Sequence, residues 1–508
     1  MPPTPDRAVT PTPSGTDGPG QADIDACLRV LAEVGEADPD DPRWAPVRAA
    51  LEQVHRASKR RRKLARRAER ARHDRAVSAA ATRYRDQDPR PVVGPDDLRA
   101  AGPDGPAPDQ ARPDQAGPGT SDSEASAGPV LLGERRCYVC KTRYRRVHAD
   151  YHLLCPDCAT ENALRRHARC DLRGRRAVVT GGRIKIGFQV ALKLLRDGAE
   201  VLVTTRFPRD AARRFAAVPD SADWLDRLHV HGVDFLDLAG VADLLAAIPE
   251  RFAHLDILVN NAAQTIRRPA AYHREVRAAE REPLTGAAAR VELVAGGGDL
   301  RIGAAAPDHG AARSGALALA GTAHPPAGLD ALFPAGRVDE TGQPLDLRDR
   351  NSWSLRLHEI EPAEWLEVQL VNAFAPFLLT SRLRGLLTAS PFPDRYVVQV
   401  SAMEGSFSRR NKTVRHAHTN MAKASLNMLT RTVAADYARA GIHMTSVDTG
   451  WVTDERPHPE KLAQREAGFR PPLDVIDGAA RVYDPIVRGI GGEPMSGVFL
   501  KDYRPVEW

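Results

Sequence analysis

The chain has 508 residues and a mass of 55.3 kDa, a length that predicts two or three domains. Its 42% hydrophobic and 27% charged content is typical of globular proteins, although 39 Gly and 40 Pro exclude a packed core throughout. The net charge of +6 is concentrated, because residues 55–75 hold eleven Lys/Arg and two Asp/Glu. No run of 18 apolar residues occurs and the first residues lack an apolar segment. We therefore expect a cytoplasmic chain with no membrane span and no secretory signal.

The first part of the chain predicts a disordered segment, two helices and a linker, in that order. Residues 1–20 are rich in Pro, Gly, Ser and Thr, which favours disorder. Apolar residues at helical spacing begin at Ile24, and Asp41-Pro42 is a start signal for a second helix. Residues 21–87 are therefore expected to form a basic helical region. Residues 88–130, rich in Pro, Gly, Ala and Asp, predict a flexible linker.

The basic run over residues 55–75 has two interpretations. It is either a solvated helix or a surface that binds nucleic acid or another acidic partner through phosphates or carboxylates. It contains no interleaved aromatic residues, so stacking on bases is poorly supported.

Two CxxC pairs predict a small metal module over residues 131–171. Cys137 and Cys140 form one pair, and Cys155 and Cys158 form the other after fourteen intervening residues. Two such knuckles supply four thiolates to one tetrahedral ion and leave no open position, which favours structural zinc. The alternatives are unmetallated pairs or a redox dithiol. We expect the nearby His148, His152 and His167 to lie at the surface, and Cys27 and Cys170 to be single packed or free thiols.

An alternating α/β pattern follows from residue 172 to residue 508. Residues 176–187, RAVVTGGRIKIG, predict a strand and a glycine-containing turn at the start of a helix, where a dinucleotide's phosphates bind favourably. Five more strands are expected, at AEVLVTTR, VDFLD, LDILVNNAA, RYVVQVSA and GIHMTSVDTGWVT. The small-residue-rich stretch at about 270–350 predicts a long, weakly structured insertion, which either covers the ligand edge of the sheet or is a surface loop.

In this order, the elements resemble the short-chain dehydrogenase/reductase family. The resemblance implies an α/β fold with a Rossmann-like doubly wound parallel sheet over residues 172–508. It also implies how a nicotinamide dinucleotide is bound. Thr180, Gly181 and Gly187 match the phosphate turn, whose middle glycine is Lys185 here. Asp234 would contact adenine, Asn261 would lie beside the cofactor, Lys423 would bind the ribose, and Gly450 and Thr453 would hold the nicotinamide end.

The residues at the end of the second strand favour NADP(H) over NAD(H). A family member that selects NAD usually carries an acidic residue there for the ribose hydroxyl, whereas this chain has Thr205 and Arg206. With Arg183 and Lys185 in the turn, a 2′-phosphate would meet cations and no carboxylate. Alternatively, Arg206 is a solvated surface residue.

The family's catalytic pattern is broken in this chain. The resemblance implies Asn372 and Lys423 as catalytic residues, but the Tyr position is Thr419 and the Ser position is Ala402. An aliphatic hydroxyl is a much poorer proton donor than a phenol. Three readings stay open: His418 or a distant Tyr acts as acid/base, Ser401 or Ser406 replaces the missing Ser, or the chain binds the dinucleotide without turnover.

We therefore expect an oxidoreductase that transfers a hydride between NADP(H) and a carbonyl or alcohol carbon of a small-molecule substrate. The alternatives are a catalytically silent dinucleotide-binding or regulatory protein, and a nucleic-acid-associated protein that uses the zinc module and the basic helix. A homo-oligomer is compatible with either enzyme or silent binder.

Overall fold

The computed structural model describes residues 18–85, 128–294, 329–339 and 341–508. The chain divides into two compact units, Met1–Asp74 and Arg75–Trp508. The predictions of disorder before residue 18, of a linker over 88–127 and of weak structure over 295–328 concern residues outside the described ranges.

The first unit is helical, as its sequence predicts. Helix α1 (Gln21–Glu36) is followed by a short 3-10 turn and by the long helix α2 (Ala45–Ala79), whose last five residues belong to the second unit. The Asp41 carboxylate accepts a hydrogen bond of 2.9 Å from the Arg43 amide, so the predicted start signal acts as a cap. The Lys and Arg side chains of residues 55–75 are exposed to solvent. A nucleic-acid partner for them stays a prediction.

The second unit contains the rest of the regular structure in the described residues. Its helices are α3 (Thr82–Arg85), α4 (Pro156–Arg166), α5 (Lys185–Arg196), α6 (Pro208–Ala216), α7 (Leu238–Arg251), α8 (Arg274–Ala279), α9 (Leu329–Leu332), α10 (Pro362–Gln369), α11 (Ala375–Arg382), α12 (Arg384–Thr388), α13 (Ala417–Arg439), α14 (His458–Glu466) and α15 (Val475–Ile490). Its strands are β1 (Val130–Arg136), β2 (Arg143–Arg146), β3 (Arg176–Thr180), β4 (Glu200–Thr205), β5 (Leu228–Gly232), β6 (Ile257–Asn260), β7 (Glu292–Val294), β8 (Arg395–Ser401), β9 (Ile442–Asp448), β10 (Val498–Lys501) and β11 (Arg504–Val506).

Nine of these strands form one doubly wound sheet, which confirms the predicted fold class. The strand order is β11-β10-β9-β8-β6-β3-β4-β5-β7, and every neighbouring pair is parallel except β10 and β11. The chain winds outward from β3 in one direction through β5 and in the other from β6 through β10. The reversal opens a crevice at the carboxyl ends of β3 and β6, where such sheets bind ligands. The third strand is Leu228–Gly232, before the predicted VDFLD segment.

The sheet is buried on both faces because its strands are apolar at successive positions. On β3, Ala177 and Val179 pack into one core cluster, while Val178 points into the other. Helices α5 and α15 cover the first face, and α7, α11 and α13 cover the second. Two-sided burial explains why these strands read as continuous apolar runs with no alternation.

The cysteine module is part of this same compact unit. Arg166, on its helix α4, donates hydrogen bonds to the Asp474 carboxylate at 2.7 Å and to the Asp477 carboxylate at 3.0 Å. The Tyr151 hydroxyl donates to Asp477 at 2.7 Å, and Arg481 donates to Asn162 of α4, also at 2.7 Å. A buried ionic network therefore joins the module to α15, so residues 131–171 do not form a separately packed domain.

The expectation of a weakly structured insertion is wrong for residues 270–294. This segment forms a 3-10 turn, helix α8 and strand β7, which extends the sheet beside β5. The buried Glu280 accepts a 3.0 Å hydrogen bond from the Arg209 amide at the start of α6. Composition concealed this order because small residues give weak periodicity, while strand pairing and a helix cap supply the stabilisation.

Helices α11 and α13 leave an apolar face exposed. Phe374, Phe377, Met421 and Met428 are each more than a third exposed. The homo-oligomer stays a prediction. Among the described helices, none combines the length and apolar character needed to cross a bilayer.

Arg166→Ala is expected to destabilise the second unit by about 3–5 kcal/mol, because it leaves buried carboxylates without their central cation. Urea unfolding followed by tryptophan fluorescence measures the change. The matched control is Arg143→Ala in the same module, which removes an exposed pair with Glu134 and should change stability far less. Equal effects of the two substitutions would contradict a stabilising role for the buried network.

Candidate functional site

The turn after β3 is held in a conformation that requires glycine. Gly181 has a φ of 67°, and a Cβ there would come within 2.9 Å of the Ala262 backbone. A Cβ on Gly187 would lie 2.3 Å from the Gly181 carbonyl oxygen and 2.4 Å from the Asn261 side chain. The turn can therefore approach the end of β6 only without side chains, and it leads into the N-terminus of α5, a position that favours an anion.

Thr180 and Asn261 connect the ends of β3 and β6. The Thr180 hydroxyl accepts hydrogen bonds from the Asn261 and Ala262 amides at 2.9 and 3.0 Å. The Asn261 side chain donates to the Thr180 and Gly181 carbonyls at 2.9 and 3.1 Å. Asn261 thus holds the turn in place by hydrogen bonds. It lies at the crevice, where the resemblance predicts that it is beside a cofactor.

Lys185 occupies the left-handed conformation that glycine would favour, with a φ of 53°. Its Nζ donates to Glu455 Oε1 at 3.2 Å, and the Thr453 hydroxyl donates to the same oxygen at 2.8 Å. Burial would raise the pKa of the Glu455 carboxyl, but Lys185 and Lys461 outweigh it and lower the pKa to about 2. An ionised carboxylate therefore links a residue that the family resemblance assigns to the cofactor's phosphates with one that it assigns to the nicotinamide end.

Positive charge collects at the end of β4. Arg183 forms an ion pair of 2.6 Å with Asp210, whereas Arg206 is exposed and pairs with no acidic residue in the described ranges. Burial and then the charges of Arg206 and Arg183 lower the pKa of the neighbouring His273 to about 2. The ring of His273, from the insertion, lies 5.3 Å from that of Phe207. The ordered part of the insertion thus contacts this edge of the sheet.

Two further predicted cofactor residues lie in loops after strands. Asp234 follows β5 and accepts a hydrogen bond of 3.1 Å from the Leu236 amide, which leaves its second oxygen for another partner. Gly450 follows β9 with a φ of 77°, and its amide donates to Asp448 at 3.0 Å. Both loops lie at the carboxyl edge of the sheet, as parallel pairing requires.

Asn372 lies in a single π-helical turn, Leu370–Phe374, between α10 and α11. Its Oδ1 accepts from the Gln264 amide at 2.6 Å, and its Nδ2 donates to the Gln264 carbonyl at 3.0 Å. Such turns occur frequently at functional sites. Here the turn directs Asn372 toward the segment that follows β6.

Lys423 on α13 is buried, and its Nζ donates to the Val400 carbonyl on β8 at 2.7 Å. Burial lowers the pKa of this ammonium group to about 8. The Ser401 hydroxyl donates to the Lys423 backbone carbonyl at 3.3 Å, so it is already engaged between β8 and α13. Ser406 contacts Ser408 and the Glu507 carbonyl, and no contact joins its hydroxyl to Lys423.

Thr419, at the family's Tyr position, and its neighbour His418 have different surroundings. The Thr419 hydroxyl lies on the Lys423 side of the helix, one turn away, is buried, and has no hydrogen-bond partner among the described residues. His418 is fully buried, with its Nε2 3.4 Å from Glu364 Oε1 on α10 and without the alignment of a hydrogen bond. His418 therefore faces α10, whereas the orphaned Thr419 hydroxyl is free to meet a ligand.

The four cysteines of the module meet at one point. The Sγ atoms of Cys137, Cys140, Cys155 and Cys158 all lie within 4.8 Å of one another. The Cys155 amide donates to Cys137 Sγ at 3.3 Å. The predicted surface position of His152 is wrong: it is buried, its Nε2 lies 3.4 Å from the Arg470 carbonyl, and burial lowers its pKa to about 4.

Sequence reasoning missed Glu455, Glu364 and Tyr138. Glu364 lies on α10 and Glu455 lies in a loop, and neither belongs to a sequence pattern that indicates a functional residue. Tyr138 stands inside the first CxxC pair, and its hydroxyl accepts a hydrogen bond of 2.9 Å from the Trp451 amide. Each acquires its role from a partner distant in sequence, which no local pattern reveals.

Family models match two ranges of the chain. The model described as short chain dehydrogenase matches residues 175–281, and the one described as Enoyl-(Acyl carrier protein) reductase matches residues 350–465. Both ranges lie in the sheet-forming part of the second unit.

Among relatives, Uncharacterized protein R665 of Acanthamoeba polyphaga mimivirus is 33% identical over 369 residues, 69% of this chain and 71% of that protein. The (+)-neomenthol dehydrogenase of Capsicum annuum is 33% identical over 90 residues, 17% of this chain and 28% of its own length. The (−)-isopiperitenone reductase of Mentha piperita is 36% identical over 91 residues, also 17% and 28%. The chain therefore matches less than a third of these two enzymes.

Two solved structures are also similar. NADPH bound carbonyl reductase from chicken fatty liver is 17% identical, with a TM-score of 0.40, and the match covers 66% of this chain and all (100%) of that one. A short chain dehydrogenase from Burkholderia cenocepacia in complex with NADP is 19% identical, with a TM-score of 0.41, and the match covers 65% and 97% of the two chains.

Proposed function

Because this chain belongs to the short-chain dehydrogenase/reductase family, we propose that it is an NADP(H)-dependent oxidoreductase acting on a carbonyl or alcohol carbon. The observation that carries the proposal is the glycine turn braced by Asn261 at the crevice between β3 and β6. This turn fits the cofactor because Cβ atoms at Gly181 and Gly187 would fill the space beside the turn. When bound, the nicotinamide supplies or accepts the hydride.

The choice of NADP(H) rests on Arg206. It lies beyond the end of β4, where the ribose of a bound dinucleotide would lie, and no described carboxylate neutralises it. Arg183 contributes less free charge because Asp210 pairs with it. A 2′-phosphate would form charge-assisted hydrogen bonds with Arg206 and offset the mutual repulsion of the cations here.

Lys423 is the proton donor that the geometry favours in place of the missing phenol. Its ammonium group is buried one helical turn from Thr419, whose hydroxyl has no hydrogen-bond partner among the described residues, and its pKa of about 8 is close to the range that suits a general acid at neutral pH. The Thr419 hydroxyl would donate to the substrate's carbonyl oxygen, and the Lys423 Nζ would deliver the proton to it. In the oxidation direction the neutral amine would take the proton from the alcohol.

A second candidate function is dinucleotide binding without turnover. It is favoured by Thr419 and Ala402 at the family's Tyr and Ser positions, and by the Lys185–Glu455 pair, which holds a carboxylate at the phosphate turn. Tight NADPH binding with no oxidation across a panel of carbonyl compounds would select this function over the first.

The cysteine cluster fits a structural zinc ion. Zn–S distances of about 2.3 Å place the sulfurs of a tetrahedral site about 3.8 Å apart, within the 4.8 Å limit of the cluster. Cys137, Cys140, Cys155 and Cys158 would hold the ion and leave no position for substrate.

Arg206→Ala is expected to weaken NADPH binding about 10- to 100-fold, the loss of one or two charge-assisted hydrogen bonds, and to leave NADH binding unchanged. Fluorescence titration with both dinucleotides measures this. The control is Arg439→Ala, at the C-terminus of α13 and hence at the opposite, amino edge of the sheet. Equal loss for NADPH and NADH would contradict a 2′-phosphate contact.

The rate of carbonyl reduction is expected to fall as pH rises through about 8, because only protonated Lys423 can donate. In the oxidation direction the rate should rise over the same range. Lys423→Arg keeps the charge but titrates far higher, so its weak residual activity should lack this transition. His418→Asn serves as the matched control and should retain it. A transition that persists in Lys423→Arg and vanishes in His418→Asn would assign the proton to His418 instead.

Purified protein is expected to contain one zinc ion per chain by elemental analysis. Cys158→Ser should lose the ion and lower the melting temperature, because structural zinc contributes directly to folding. Cys170→Ser, a thiol outside the cluster that contacts the Tyr483 hydroxyl, should retain it. Full metal content in Cys158→Ser would argue against a four-cysteine site.

A further inference from the structure

A direct contact joins the cysteine module to the loop that follows β9. The Tyr138 hydroxyl, between the first two cysteines, accepts the 2.9 Å hydrogen bond from the Trp451 backbone amide. It also lies 3.4 Å from where a Cβ on Gly450 would stand. The first CxxC pair, residues 137–140, therefore contacts residues 450–453. This segment, which the resemblance assigns to the nicotinamide end, is the cofactor loop.

Packing reinforces this contact from a second side. Val452 of the cofactor loop packs against the apolar cluster that contains Cys137, Tyr151 and Leu473. A Cβ on Gly450 would lie 2.6 Å from Leu473, a member of the same apolar cluster, so the loop fits closely against this cluster at its first residue. Val452 of the loop is thus packed against apolar side chains of the module.

Charge forms a third connection. The Lys501 Nζ lies 5.7 Å from the centre of the Tyr138 ring and 3.4 Å from Asp448 Oδ1. The same Asp448 oxygen accepts the Gly450 amide at 3.0 Å. Lys501 therefore lies between the Tyr138 ring and Asp448, the carboxylate that accepts the first amide of the cofactor loop.

We propose that Tyr138 is a positioning residue through which the metal-bound knuckle holds the cofactor loop in its binding conformation. Zinc fixes the backbone of residues 137–140, and Tyr138 passes that constraint to the Trp451 amide. When the ion is lost, residues 137–140 are no longer held in place. The cofactor loop is then less ordered before binding, and the entropy lost on ordering it weakens dinucleotide binding. The proposal rests on the cofactor site proposed above. Because linkage is reciprocal, bound dinucleotide also tightens metal binding.

The test compares Tyr138→Phe with Tyr144→Phe in the zinc-loaded full chain. Tyr144 is in the same module, and its hydroxyl donates to the His152 carbonyl at 3.1 Å, a contact that does not involve the cofactor loop. Tyr138→Phe is expected to keep one zinc and a near-normal melting temperature, to bind NADPH about 10-fold more weakly, and to exchange the Trp451 amide hydrogen faster. Tyr144→Phe should leave NADPH affinity and that exchange rate unchanged.

Chelation of the metal supplies the second arm. In the original protein it should weaken NADPH binding and speed Trp451 exchange, whereas in Tyr138→Phe it should add little to either. NADPH affinity and Trp451 protection equal to the original in Tyr138→Phe would overturn the proposal. If the original chain binds no NADPH, the proposed function fails, and the exchange measurement still decides separately whether Tyr138 couples the metal to the loop.

Discussion

The close approach of the turn after β3 to the end of β6 is the constraint on which the proposed site depends. Any side chain at Gly187 would collide with the Gly181 carbonyl and with Asn261, which itself holds the turn by two hydrogen bonds. This contact sets where α5 begins and therefore where its free amides point. The remaining candidate residues are arranged around that position by the parallel strands, whose carboxyl ends meet at the same edge.

Within this frame, the proposed chemistry departs from the family's pattern because Thr419 stands where the resemblance implies a tyrosine. The Thr419 hydroxyl is buried and has no hydrogen-bond partner among the described residues. Lys423 remains buried, so its proton is easier to release than that of a solvated lysine. His418, although adjacent in sequence, points toward Glu364, since successive helical residues are rotated by about 100°. The helix geometry thus separates two candidates that the sequence leaves side by side.

The cysteine module belongs to the same compact unit as the sheet. Arg166, Asp474 and Asp477 form a buried ionic contact, while Tyr138 and Val452 connect the module to the loop after β9. A separate zinc module would need only its own four ligands. Here the module also contacts α15 and the loop after β9, so it helps to hold the carboxyl edge of the sheet.

The sequence by itself determined the fold class, because the apolar runs around Val178, Val201 and Val397 predict strands buried on both faces between helices. It also determined the four clustered cysteines and the glycine turn, because both depend on local spacing. Only the tertiary structure decided that residues 270–294 extend the sheet, that His152 is buried, and that Lys185 meets Glu455 and Tyr138 meets Trp451. These features arise between residues far apart in the chain, where neither periodicity nor composition carries information about which surfaces will pack together.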